Sequence, residues 1–534
     1  MMPIESKAMQ ESTATHDDRA LVGGGGQQSH AVQDVDRAMT KGALWMILAR
    51  LGDRSLGIIS TVILVRLLAP ADFGLVAMGT SLIALCEVMG QVGLDIALIQ
   101  NPDATRSHYD TAWTFSVILS AMAAVILLLL AIPAANFYDE PRLVPILLSL
   151  ALGSVISGFE NIGIVAFRKE LQFNKEFQFF FGKKLIGFLF TVPLAFLLRN
   201  YWALIVGIII GRLAGVALSY YVQDYRPRWS LAARKDLFHF SKWMVMLNIG
   251  SVFNSRAADF IVGKIAGPHA LGVFNVSYEL SNLPTTELIA PINRAVFPGY
   301  ARKADDNAAL KEGYLDVLGM IVAIAVPAGV GIAATSHWFV PLVLGQQWSD
   351  AVPLITVLSF YAILTAIKTN SHYVYLALGK PNVATYLGIV QISFLLPSLV
   401  VLSREYGGIG AAYGYLVSQA IFTPISFSVL FRVMGVTPRE IILVLWRPIV
   451  SAAIMYLAVR LVAIEIPVET FDSVNVLLRH FLIAVAIGAA AYTTCLFVAW
   501  NVSARPVGAE TRILGAVRSI KLWSRSRGMS ASRP

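Results

Sequence analysis

The chain has 534 residues, 56% of them hydrophobic and only 14% charged, against about 25% charged in an ordinary soluble domain. A mean hydropathy of +0.66 over the whole length requires many spanning segments and excludes a soluble enzyme with one anchor. The excess of 42 Lys and Arg over 33 Asp and Glu would suggest nucleic acid in a soluble protein, but here the basic residues sit in loops and tails, as the positive-inside rule requires.

Residues 1–40 are polar, carry Gly23 to Gly26 in a row, and have no apolar stretch of signal-peptide type, which predicts a disordered cytoplasmic tail. Asp34-Val35-Asp36 in that tail matches the Asp-x-Asp pattern of some glycosyltransferases, but no strand pattern flanks it and it carries no catalytic expectation. No His-Glu-x-x-His, Walker-type or Gly-x-Ser-x-Gly motif occurs.

A hydrocarbon core about 30 Å thick takes roughly 20 helical residues per crossing. Fourteen apolar runs meet that length: 42–68, 73–98, 111–132, 143–165, 177–198, 202–222, 239–264, 270–297, 314–336, 351–377, 384–402, 409–431, 441–462 and 475–500. One set of connecting loops, from Arg106 to Arg439, holds 14 basic residues, and the tails add 4 and 7. The alternate loops hold only Arg142, Arg199 and Arg404. That asymmetry places both termini in the cytoplasm. No connecting loop leaves room for a folded catalytic domain. Cys86 and Cys495 lie in apolar runs and read as small buried hydrophobes.

The chain also repeats itself. Trp45-Met46, Arg66, Pro70 and Gly74 recur as Trp243-Met244, Lys264, Pro268 and Gly272, every pair 198 residues apart. Six runs separate the copies, so a real repeat is parallel and forms two six-helix lobes about an axis along the membrane normal, with a cavity between them. The expected divisions are an N-lobe over 41–235, a C-lobe over 236–435, two further helices over 436–500, and a basic tail over 501–534.

Charged groups inside spans are costly and usually face a bundle interior or a wet cavity. They concentrate in the first two runs of each half: Arg50, Asp53 and Arg54, with Glu87 and Asp95; then Arg256, Asp259 and Lys264, with Glu279, Glu287 and Arg294. Singly, each reads as a structural ion pair or a snorkelling side chain. As two matched clusters they describe a cationic cavity lined by Arg50, Arg54, Arg256, Lys264 and Arg294, with Asp53, Glu87, Asp95, Asp259 and Glu279 as charge-balancing or ion-coupling acids. Guanidinium groups grip phosphate oxygens in pairs, so such a cavity suits a pyrophosphate-bearing ligand. Glu160, Lys183, Lys184, Arg212 and Lys368 are further candidates, mostly nearer helix ends. Prolines 284, 291, 298, 327, 397 and 424 punctuate apolar runs as kinks or hinges. The histidines show no paired spacing, and neither metal nor cofactor is expected.

Three segments carry a resemblance: Lys41-Gly42-Ala43-Leu44-Trp45, Arg66-Leu67-Leu68-Ala69-Pro70-Ala71-Asp72-Phe73-Gly74-Leu75-Val76-Ala77, and Gly93-Leu94-Asp95-Ile96-Ala97-Leu98-Ile99-Gln100. With Arg168-Lys169-Glu170-Leu171-Gln172-Phe173 and Ala377-Leu378-Gly379-Lys380-Pro381, the chain resembles Wzx-type polysaccharide flippases. The likeness is to the WzxC-like and ExoT-like branch of the multidrug/oligosaccharidyl-lipid/polysaccharide exporter superfamily. It implies an all-α, fourteen-helix, two-lobe protein of the bacterial inner membrane. Such a protein is not an enzyme; it moves undecaprenyl-diphosphate-linked oligosaccharide repeat units to the periplasmic leaflet for polymerisation. A polysaccharide polymerase and a chain-length regulator are the partners the resemblance implies. Other readings remain open at this point: a cation-coupled multidrug antiporter on the same fold, a lipid II flippase, or an integral-membrane polymerase or glycosyltransferase.

Overall fold

The structure is a computed structural model that describes residues 52–87, 93–464, 474–503 and Thr511. The N-terminal tail, the Lys41–Trp45 motif, Arg50 and the tail beyond 503, apart from Thr511, lie outside the described residues. Among the described residues every element is helical or a turn.

The helices are α1 (52–67), α2 (Pro70–Glu87), α3 (Leu94–Gln100), α4 (Arg106–Tyr138), α5 (Leu143–Gly158), α6 (Val165–Lys169), α7 (Phe173–Leu198) and α8 (Trp202–Val222). There follow α9 (Arg234–Pro284), α10 (Ala290–Arg302), α11 (Asn307–Phe339), α12 (Ala351–Ala377), α13 (Pro381–Met434), α14 (Pro438–Ile464) and α15 (Val474–Val502). Nine helices among the described residues are long and apolar enough to cross a membrane, ten when the pair α5 and 162–169, bent by 61°, is taken as one span. The remaining crossings lie in three helices. At 1.5 Å per residue α9 and α13 would each be at least 75 Å long, about twice what a bilayer takes, and each is broken once. Gly267 (φ 78°) and Gly407 (φ 62°) carry the breaks, in a backbone region that only glycine enters freely. Pro268 then opens the second half of α9 at a position where its missing N–H costs nothing. With α1 shortened at its start by the limit of description, a helix stands at each of the fourteen apolar runs. Two runs differ from expectation: 73–98 is not a single helix but α2 followed by the separate α3, and 143–165 breaks after Gly158.

Helices α4, α5, α7 and α8 pack as one group and α11, α12 and α13 as another. Helix α2 runs along α9 and joins them, while α14 and α15 pair and lie on α11. The main core cluster crosses this seam, with Leu75, Met78 and Leu82 of α2 against Val262, Leu271 and Phe274 of α9. Outward faces are apolar too: Leu189, Phe190, Phe196 and Leu197 of α7 are all exposed, as a lipid-facing surface requires.

The seam closes most tightly at one point. A Cβ on Gly74 would collide with the Pro268 carbonyl, and one on Gly272 with the Pro70 carbonyl. The contact is reciprocal between residues 198 apart in sequence. At the same end of the bundle, the carbonyls that α1 leaves without helical partners are taken up by the segment after α11. Gln347 Nε2 and Trp348 Nε1 each donate to Val65 O at 2.7 Å. Arg66 donates to the Val343 carbonyl at 2.8 Å and to that of Leu342, and Phe73 packs edge-on against Trp348.

Candidate functional site

Three polar clusters interrupt the apolar seam and the helix group beside it. In the first, Arg54 of α1 faces two acids from the second half of α9 and the turn that follows it. Its Nε lies 3.1 Å from Glu287 and its Nη1 4.0 Å from Glu279. The Arg54 Nε is buried and not aligned to donate a hydrogen bond to either, so these are ion pairs without the geometry of a locked bidentate fork. Glu287 sits in a π-helical turn, Thr285–Ile289, directly after Pro284; wide turns of this kind bulge one residue out of a helix, often where a side chain must be presented.

The second cluster centres on Asp259 of α9, 4% exposed. It accepts from Ser81 Oγ of α2, from Asn275 Nδ2 at 2.9 Å and from Arg256 at 3.3 Å. Three donors, one of them charged, satisfy the carboxylate and fix α2 to both halves of α9.

The third cluster lies within the N-terminal group. Arg212, at the middle of α8, reaches Glu87 of α2 at 2.8 Å, and Ser154 donates to the same oxygen at 2.6 Å. Lys183 and Glu160 are 2.6 Å apart, as are Lys184 and Asp53. Between α1, α2, α7 and α8 a cavity of about 590 Å³ is lined by Lys183, Lys184 and Arg212 together with Phe73, Phe180 and Phe188.

The structure thus brings Arg54 together with Glu279, and Arg256 with Asp259, but it does not gather all the sequence candidates at one place. Lys264 reaches Asp139 at the end of α4, 2.7 Å away. Among the described residues Arg294 donates only to the Ala290 carbonyl of its own helix. Asp95 borders a separate cavity of about 490 Å³ with Glu160 and Arg168. Arg50 lies outside the described residues. Arg212 and Lys368 sit well inside their helices rather than near the ends. Asp139, Ser81 and Asn275 could not be picked from the sequence: the first follows a helix, and the others are two among many small polar residues.

Among the described residues no group of three metal-ligating side chains occurs. The chemistry on offer is that of exchangeable ion pairs: the guanidinium and ammonium groups of Arg54, Arg256, Arg212, Lys183 and Lys184 are held by carboxylates that an incoming anion could replace.

The family described as polysaccharide biosynthesis protein matches residues 63–353. The chain is 26% identical over 416 residues to the lipopolysaccharide biosynthesis protein WzxC of Escherichia coli (strain K12), an alignment that covers 76% of this chain and 84% of that one. It is 21% identical over 473 residues to the succinoglycan biosynthesis transport protein ExoT of Rhizobium meliloti (strain 1021), covering 86% and 93%. Its fold is similar to that of the lipid II flippase MurJ in an inward closed conformation, with a TM-score of 0.68, 13% identity and coverage of 87% and 100%. An inward-facing MATE family multidrug transporter of the MOP superfamily is similar at a TM-score of 0.55, 16% identity and coverage of 72% and 94%. At these identities the structural likeness speaks for the fold alone.

Proposed function

The chain belongs to the polysaccharide biosynthesis protein family, and from that premise we propose that it is a transporter that flips lipid-linked oligosaccharide repeat units across the bacterial inner membrane. The cargo is an undecaprenyl-diphosphate-linked oligosaccharide destined for a surface or secreted polysaccharide, and no covalent step is involved. The positive-inside asymmetry puts both termini in the cytoplasm. The Gly74–Pro268 and Gly272–Pro70 contacts then lie toward the periplasm, and the pairs around Arg54 toward the cytoplasm. The helix groups act as an N-lobe, 41–235, and a C-lobe, 236–435, that rock about the cavity between them.

The observation that carries this reading is the Arg54 cluster: a guanidinium in the seam held by Glu279 and Glu287 through ion pairs rather than aligned hydrogen bonds. A diphosphate offers better-matched oxygens and more charge than either carboxylate. It takes over Arg54, with Arg50, Arg256, Lys264 and Arg294 as further cationic lining, and the released acids weaken the tie between α1 and α9. Asp53, Glu87, Asp95, Asp259 and Glu279 balance charge or carry a coupling ion through the cycle. An apolar cavity of about 580 Å³ between α11, α14 and α15, lined by Pro327, Phe339, Met455 and Phe481, suits the isoprenoid chain.

The test is a clean deletion followed by lipid extraction and a leaflet assay of the sugar. Complete units accumulating on the cytoplasmic face, with polymer absent, are expected. Failure to make the unit, or units that reach the periplasm and stay unjoined, would place the chain in assembly or polymerisation instead.

A further inference from the structure

Lys368 of α12 stands in a cavity of about 360 Å³ enclosed by α12 and the two halves of α13. That volume is in the range of small-ligand pockets. Its Nζ donates to Gln391 Oε1 at 2.7 Å and lies 4.4 Å from the centre of the Phe422 ring. Gln391 in turn donates to Gln419 at 3.2 Å. An amide and an aromatic face solvate an ammonium but do not neutralise it. No carboxylate lines this cavity, and Lys368 has no acidic partner among the described residues.

The N-terminal helices show what is missing. There Glu160, in the turn after α5, and Lys183 of α7 pair across 23 residues; Lys368 and Gln391 join α12 to α13 across the same 23. In the N-terminal pair the ammonium has its carboxylate, and the neighbouring Arg212 has Glu87. In the C-terminal pair the ammonium meets an amide instead: Lys368 donates to Gln391, and Gln391 to Gln419. One positive charge is left over.

Two further groups border the same space. His372 lies one turn on from Lys368 and lines the cavity, adding a second nitrogen donor to that face. Tyr375, 1% exposed, also lines it, and its buried hydroxyl has no hydrogen-bond partner among the described residues. A buried hydroxyl without a partner is costly, and Tyr375 borders the cavity that holds this ammonium.

We propose that this cavity is an anion subsite in which Lys368, with Tyr375 and His372, takes a carboxylate or phosphate group of the transported molecule. The inference rests on the flippase reading and adds to it a second charge-recognition point apart from Arg54. Two parts of such a cargo carry that chemistry: an acidic sugar in the glycan, and the diphosphate of the carrier.

The experiment uses the purified full-length protein and thermal stabilisation by three probes at matched ionic strength: glucuronate, inorganic pyrophosphate and, as a neutral control, glucose. Saturable stabilisation by an anion but not by glucose is expected, with affinity weakened about tenfold or more in Lys368→Gln and largely retained in Lys368→Arg. Lys368-dependent binding of glucuronate assigns the site to the glycan, and of pyrophosphate alone to the carrier. Tyr375→Phe, which removes one hydroxyl, should weaken the same anion severalfold and serves if Lys368→Gln does not fold. No anion binding by the native protein, or equal affinity in the folded Lys368→Gln variant, overturns the proposal. Vesicle translocation is read separately: a protein that flips without Lys368-dependent binding loses only this subsite, and one that binds but never flips loses the transport reading.

Discussion

Replacing Gly74 or Gly272 by alanine tests the tightest contact in the seam. The obstacle at each is a backbone carbonyl, Pro268 O for one and Pro70 O for the other, and a carbonyl has no rotamer with which to step aside. A methyl carbon and a carbonyl oxygen rest at about 3.3 Å or more, so α2 and α9 must part locally by about 1.5 Å. A gap of 0.5–1 Å already forfeits a quarter to a half of each dispersion contact, and the apolar contacts of Leu75, Met78 and Phe274 beside it would feel it. Overpacking of this kind costs about 1–3 kcal/mol at each site, against roughly 1 kcal/mol gained from alanine's better helix propensity. Gly388 is the control: it lies in a helix with nothing within 4 Å of a built Cβ, so Gly388→Ala should be neutral or mildly stabilising. Thermal unfolding of the purified proteins should therefore show Gly74→Ala and Gly272→Ala several degrees below Gly388→Ala. Equal midpoints for all three would refute the claim that the backbones meet here.

Arg212→Gln leaves the Glu87 carboxylate in a span without its cation and should cost about 2–3 kcal/mol; adding Glu87→Gln should recover part of the loss in thermal midpoint, a coupling a double-mutant cycle reads directly. Asp259→Ala strands the Ser81, Asn275 and Arg256 donors, and a loss of about 2–4 kcal/mol is expected, with Asp259→Asn milder; indifference in both would remove Asp259 as the tie between α2 and α9. Trp348→Phe keeps the ring against Phe73 but loses the bond to Val65 O, so a cysteine placed near residue 69 should label faster with an impermeant reagent; unchanged labelling would show that the bond does not hold that end shut. In the turn after α4, the hydrogen bonds from Arg142 hold Glu140 below the ordinary carboxylate range. A lowered value means stabilisation that is present at neutral pH and is lost as pH falls through it. The deficit of Glu140→Gln should thus be visible at pH 7, stay under about 1 kcal/mol because Arg142 is half exposed, shrink as pH falls through the ordinary carboxylate range, and vanish only beneath the lowered folded-state value.

The helices were legible because their cause is local. Twenty apolar residues between polar breaks dictate a crossing whatever surrounds them, and Gly267-Pro268 marks a break in any context. The 198-residue offset was legible too, and it picked out Gly74 and Gly272 before any contact was known. What could not be read was partnership. Arg54 lies more than 220 positions from Glu279 and Glu287, and only the packing of α1 against the end of α9 decides that these acids, rather than Asp53, face it. Asp53 goes instead to Lys184. The cationic lining inferred from charge counts is therefore largely a lining of paired charges. Among the described residues Lys368 has no acid beside it, and the sequence offered it only as a lesser candidate.

The most direct measurement of transport is made with the full-length protein in sealed vesicles that carry, in both leaflets, the lipid-linked units extracted from the deletion strain. A glycosidase or lectin added outside reports how much sugar reaches the outer leaflet with time. Vesicles with protein should expose the inner-leaflet half while protein-free vesicles expose only the outer half. An Arg54→Ala variant, present at the same level, should be slowed at least severalfold. Exposure that stops at the outer half with the native protein would contradict the flippase reading, and native rates in Arg54→Ala would remove the seam from the path of the diphosphate.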